Sequence, residues 1–189
     1  MKAIEDSVVE AVAHHRTIGS TWPYSGGGDA DIKEYFEAVA KRIDDTGKLK
    51  AIRAFDYPGT TNLSFGKILC PKADGSSTYR VSDGNVIAGI VIYLCRYAPL
   101  AVWGCGTRNE LPTGGFDAEC SWELVYTPPK MGNWDWESAE VEAVLAHMKF
   151  QLPSKEDLGR RTASPLPFRS AMSNGTDRVF DALFHVVYE

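Results

Sequence analysis

The sequence predicts an α+β fold, a mostly antiparallel central sheet flanked by helices, within a single domain spanning residues 1–189. Three observations carry this prediction. Val86–Cys95 (VIAGIVIYLC) is apolar at both parities, as expected of a strand covered on both faces. β-like stretches between residues 49 and 126 are separated by short turn signals rather than by helical patterns. Helical periodicity is clearest on the two flanks of that region, which sets helices against an antiparallel sheet rather than between parallel strands.

Taken in order, Ile4, Val8, Val9 and Val12 recur at helical spacing and predict an amphipathic helix over 3–15. Trp22–Gly28 (WPYSGGG) reads as a loop, and Asp29 then caps the clearest helix. Its stripe is Ile32, Tyr35, Phe36, Val39, Ala40 and Ile43, and Gly47 stops it. Leu49–Phe55, Asn62–Leu69 and Ser77–Val81 are β-like; the last leads through Ser82-Asp83-Gly84-Asn85, a hairpin signal, into the central run. Pro99 interrupts that run. A second apolar segment, Leu100–Trp103, ends at Gly104-Cys105-Gly106, which reads as an exit into a loop over Thr107–Phe116. Cys120, Trp122, Leu124 and Tyr126 share one parity and predict a further strand, closed by Pro128-Pro129. A helix beginning at Trp136 or Glu137 buries Val141, Val144, Leu145 and Met148. Ser154 caps a short helical turn with Asp157 at the matching third position. Ser164–Phe168 is extended, and Val179–Tyr188 reads as a final β-like run able to pair with the central sheet.

A chain of 189 residues can bury a sizeable core, and 44% hydrophobic with 24% charged residues is the make-up of an ordinary globular protein. A net charge of −5 argues against a general nucleic-acid binder; it favours a basic partner or simply serves solubility. Glu5, Asp6 and Glu10 fall where a secretion signal would be apolar, and Val86–Cys95 is too short to cross a bilayer. The chain therefore reads as cytoplasmic, without membrane association. Its cysteines, Cys70, Cys95, Cys105 and Cys120, contain no CxxC pair and read as free thiols in a reducing compartment.

No motif prescribes a reaction, and neither cofactor nor metal is expected. Gly26-Gly27-Gly28 lacks the lysine of a phosphate loop, and Asp29 and Asp31 would repel phosphate at the helix start. Gly104-Cys105-Gly106 begins a GxGxxG pattern that fails at Asn109. His14 and His15, adjacent on a helix, diverge too far to share one metal. Two arrangements remain. Gly132–Glu137 sets two tryptophans beside carboxylates at a loop-to-helix junction. One reading is a staple, with one Trp in the core, Asp135 capping the helix and Glu137 favouring its first turn. The other is a recognition edge in which Trp134, Asp135, Trp136 and Glu137 contact a partner, with Arg108 and Glu110 as a second patch. Alternatively, a small hydrolase or transferase assembles its site from scattered residues: Cys105, His185, and Asp181 or Asp117 as orienting acid.

Tyr97–Gly104 (YAPLAVWG), Pro165–Phe168 (PLPF) and Val179–Phe184 (VFDALF) resemble segments of small bacterial immunity proteins. Such proteins accompany polymorphic or contact-dependent toxins and protect the producing cell. The resemblance runs from Ser77 to the end of the chain and gives no chemical role to its motifs. It implies a cytoplasmic protein that binds a cognate toxin and occludes its active site without turnover. The toxin would be of a class that acts in the cytoplasm: nuclease, deaminase, NAD hydrolase or ADP-ribosyltransferase.

Overall fold

Six antiparallel strands fill five positions of one open sheet, and helices pack on both of its faces. The computed structural model describes residues 3–55, 62–111, 114–118, 121–168 and 177–187. The helices are α1 (Asp6–Ala13), α2 (Asp29–Asp44), α3 (Asp135–His147), α4 (Lys155–Gly159) and α5 (Val179–Leu183), with a 3₁₀ turn at Trp122–Leu124. The strands are β1 (Ile52–Ala54), β2 (Asn62–Leu63), β3 (Phe65–Cys70), β4 (Thr78–Val81), β5 (Gly84–Cys95), β6 (Ala101–Leu111), β7 (Gly114–Ala118) and β8 (Val186–Val187). The sheet order is β1-β3-β5-β6-β7, while β2 and β8 pair separately. Among the described residues no helix is long and apolar enough to cross a membrane.

The doubly apolar run becomes β5, and both of its faces are used. Ile90, Ile92 and Leu94 join a cluster with α2 and α3, to which α2 gives Ile32, Phe36, Val39, Ala40 and Ile43. Val91, Tyr93 and Cys95 point the other way, into a cluster with α1, α4 and α5. Two strands share one edge of β5, end to end: β3 pairs with Ile90–Cys95 and β4 with Gly84–Ile87. The chain passes from one to the other beneath Gly89, where an added Cβ would stand 2.8 Å from the carbonyl carbon and oxygen of Cys70 and 2.9 Å from Pro71 N. Only glycine allows that approach.

Helix starts follow local chemistry. Gly28, not Asp29, is the N-cap of α2, and its N–H donates to the Asp31 carboxylate at 2.8 Å. Ser154 caps α4 as its spacing requires, its Oγ accepting from Asp157 N at 3.1 Å. Ser154→Ala is expected to lower stability by about 1 kcal/mol. Urea unfolding checks this as a shift in midpoint at constant slope.

Four expectations are corrected. Gly104–Gly106 does not end a strand; β6 continues to Leu111, paired with β5 and then with β7. Gly106 is there for close packing, since a Cβ would lie 2.9 Å from Val91 Cβ. The segment at Trp122–Tyr126 turns instead of extending, because Leu124 N–H bonds Ser121 O and Val125 N–H bonds Trp122 O; only one bridge, Gly104 to Val125, reaches the sheet. Cys120 lies outside the described residues. Val179–Tyr188 divides into α5 and β8, and β8 pairs with β2 rather than with the central sheet. The Asp181 carboxylate accepts from Arg178 N at 3.2 Å, which starts a helix that buries Val179, Phe180 and Leu183. Finally, Asn62–Leu69 is interrupted at Ser64, whose hydroxyl is held by Leu183 O at 2.9 Å and by His185 N at 2.7 Å.

Candidate interaction surface

The helical layers cover only part of the sheet. Along β5, Ile90–Cys95 is fully buried, whereas Gly84–Ile87 is exposed or half-exposed. β6 mirrors it: Ala101–Gly104 is buried, Thr107–Asn109 is half-exposed and Glu110 is exposed. Side chains on neighbouring strands share a face at paired positions, so each face of this bare end can be read from the register. Tyr79 pairs with Val86 and Val86 with Asn109, in line with Ile90 and Cys105 on the α2/α3 face. Val81, paired with Gly84, falls on the same face. The opposite face carries Arg80, Asn85, Ile87, Arg108 and Glu110.

On the α2/α3 face Tyr79, Val81 and Val86 form an apolar floor, and the start of α3 is tied to the β3–β4 connection. Trp134 is 2% exposed, and its indole N–H donates to Met131 O at 2.7 Å. Lys72, from the β3–β4 connection, ties the junction down: its ammonium is 2.9 Å from Glu137, donates to Asn133 O at 2.7 Å and lies 4.9 Å from the Trp134 ring centroid. Asn133 Oδ1 accepts from Asp135 N at 2.8 Å. Lys130 lies close enough to Cys105 to favour its thiolate, although burial, the larger effect, raises that thiol above its ordinary pKa.

What stays outside is apolar. Met131 is 59% exposed and Trp136 49%, beside an exposed Asp135. Val81 on the floor is 42% exposed. Met131 and Trp136 thus flank the buried Trp134 and form an apolar shelf at the start of α3, while the other two large hydrophobic side chains exposed among the described residues lie elsewhere, Val81 at the β4–β5 turn and Trp22 in the loop before α2. Two large apolar side chains exposed within one short junction, on a base held by Lys72, make this shelf the candidate interaction surface.

No protein family, curated protein or solved structure matches the chain. The side chains themselves carry the functional reading.

Within Trp134–Glu137 the structure divides the labour. Trp134 is core and Glu137 is engaged with Lys72, which leaves Asp135 and Trp136 to face solvent. Trp134 is thereby corrected as a contact residue, because its ring is already enclosed. Asp135 opens the helix but does not cap it; the N-cap position is Trp134, with no side-chain cap, and the Asn133 carboxamide just before it accepts from the Asp135 N–H. Arg108 and Glu110 stand on β6 rather than in a loop, with 4.0 Å between Arg108 Nε and Glu110 Oε1. They lie on the other face of the sheet, so the two expected patches look away from each other.

The scattered catalytic set is not brought together. Cys105 is on the α2/α3 face, while His185 is enclosed on the α1/α5 side against Ser64, Ala182 and His15. Asp117 lies in β7, paired with Arg108, and Asp181 is spent on the start of α5. The described thiols resist ionisation: burial pushes Cys95 up to about 12 and raises Cys70 further. Among the described residues no three metal-ligating side chains converge. Tyr79, Val81, Val86, Lys72 and Met131 were not singled out from sequence. The alternation Tyr79/Val81 against Thr78/Arg80 was a usable signal for the floor; Met131 carried none.

Proposed function

We propose that this chain is a binding protein of the immunity type, which acts in the cytoplasm and docks this shelf onto a cognate protein toxin, occluding the toxin's active site without turnover. The observation that supports the reading is Trp136 half-exposed, with Met131 also exposed, on a base already fixed by Trp134, Lys72 and Glu137. An anchor mounted on a rigid base loses little conformational freedom on binding, and tryptophan is prominent among residues that dominate interfaces. Asp135 at the rim and the overall charge of −5 suit a basic cleft, where complementarity speeds encounter and rejects wrong partners.

The test uses the toxin domain encoded beside this chain's gene, titrated with the purified protein while toxin activity is followed. A 1:1 complex that silences the toxin is expected. Trp136→Ala should weaken binding roughly tenfold to a hundredfold, about 1.4–2.8 kcal/mol, with thermal unfolding unchanged. Trp22→Ala should leave affinity within about twofold, since single exposed apolar residues are ordinary. Absence of a neighbouring toxin, or of binding, refutes the immunity reading. Tight binding indifferent to Trp136→Ala removes the shelf from the interface.

A further inference from the structure

On the opposite side of the molecule four rings stack in a row from separate parts of the chain. Tyr97, in the β5–β6 turn, lies 5.3 Å from His15; His15, just past α1, lies 5.2 Å from His185; and Phe168 lies 4.0 Å beyond His185, all centroid to centroid. His185 is fully buried. Its Nδ1 is 3.0 Å from Ala182 O, an acceptor only, so Nδ1 carries the proton and Nε2 presents a lone pair. His15 Nε2 is 3.0 Å from that lone pair and is therefore the donor. The backbone is fixed as tightly: His185 N–H donates to Ser64 Oγ at 2.7 Å, and Ser64 N–H donates to His185 O at 3.2 Å. These bonds and the two-residue β2–β8 ladder hold the end of α5 against the rest of the molecule.

We propose that the His15–His185 pair is a proton-operated clasp, closed while His185 is neutral and opened by proton uptake at His185, which releases the His185–β8 segment from Ser64 and β2. While His15 keeps its proton on Nε2, a proton added at His185 Nε2 sets N–H against N–H and turns the 3.0 Å contact into a repulsion, relieved only if His15 moves its proton to Nδ1 or the segment opens. Among the described residues the group that favours the imidazolium is the Ala182 carbonyl, which already accepts from Nδ1 in the neutral form. The charge-bearing group acting on His185 is His15; on His15 it is His14, and both act against protonation. The Tyr97 phenol, stacked on His15, is raised above its ordinary pKa by burial and stays neutral. Arg96, beside Tyr97, donates to Phe55 O. On α1, Glu10 pairs with Arg16 at 3.9 Å. On α5, Asp181 is held by Arg178 N. On β3, Lys67 is a buried cation that is itself engaged. Burial first, and His15 second, lower His185 to about 4, so closed clasps resist protons that an open one accepts below about 6.5.

The experiment is amide hydrogen exchange on the full chain at pH 7 and 4.5, with histidine tautomers followed by NMR. Protection at Ser64 and His185 is expected to fall about tenfold or more relative to Ile90–Cys95 of β5, the proton being taken up by the open form. In His15→Gln the side-chain amide can turn its oxygen toward a protonated His185, so the fall should shrink below about threefold. Protection that persists at pH 4.5, that falls in step with β5, or that responds identically in His15→Gln overturns the clasp.

Discussion

Gly89→Ala is expected to destabilise the protein by about 3 kcal/mol, the upper part of the usual range for overpacking. The added methyl would meet the backbone of Cys70 and Pro71, at 2.8 and 2.9 Å, rather than a movable side chain. Relief requires β3 to back away from β5, and that strands Ile68 and Cys70, both fully buried. Gly159→Ala provides the contrast. There the nearest atom is Trp122 Cζ3 at 3.2 Å, at the end of α4, and helix propensity favours alanine, so a change within about 1 kcal/mol of zero is expected. Urea unfolding of both variants decides it. A Gly89→Ala cost below about 1 kcal/mol would mean that the β3-to-β4 passage is not as close as described.

The second large effect concerns pH. His185, lowered to about 4, stays neutral in the fold while the unfolded chain binds its proton near 6.5. Its contribution is complete above pH 6.5 and is lost as pH falls toward 4, by about 3 kcal/mol. Asp181 acts in the opposite sense. Burial raises it to about 6 against 3.8 unfolded, so the fold holds a proton that the unfolded chain releases, and stability is lost as pH rises from 3.8 to 6. The two nearly cancel over the same window. Asp181→Asn removes one side of that balance while keeping an acceptor for Arg178 N–H. The stability of Asp181→Asn minus wild type is therefore expected to climb by about 3 kcal/mol between pH 4 and 6.5. Taking the difference cancels every other titrating group. A level difference across that range would show that Asp181 ionises as freely in the fold as out of it.

Much of the architecture was legible because burial writes itself into residue pattern. β5 announced two covered faces by being apolar at both parities, and α2 announced its core face by a six-residue stripe ending at Gly47, where φ is +68°. The failures share a cause. Gly104 and Gly106 read as an exit from the strand, although Gly106 exists to let Val91 approach closely, and the close backbone approach at Gly89 likewise left no local mark, both being tertiary demands. Val179–Phe184 is apolar enough for either a strand or a helix, and the Asp181 contact at its start settles the matter. The site was half legible. Trp136 stood out by composition, but the floor of Tyr79, Val81 and Val86 depends on where the helices stop, and the separation of Arg108 from Trp136 depends on strand register.

β5 spans a boundary along its own length. Its later half is locked between two helical layers, while its earlier half, with β4, stands clear of them. Substitutions at exposed positions usually change stability by no more than about 0.5 kcal/mol, whereas buried ones are costly. Tyr79, Val81, Val86 and Asn109 can therefore drift through sequence space while Ile90–Leu94 stays fixed. A lineage in which the partner keeps changing could retain one fold and rewrite its recognition at the tip of the same strands.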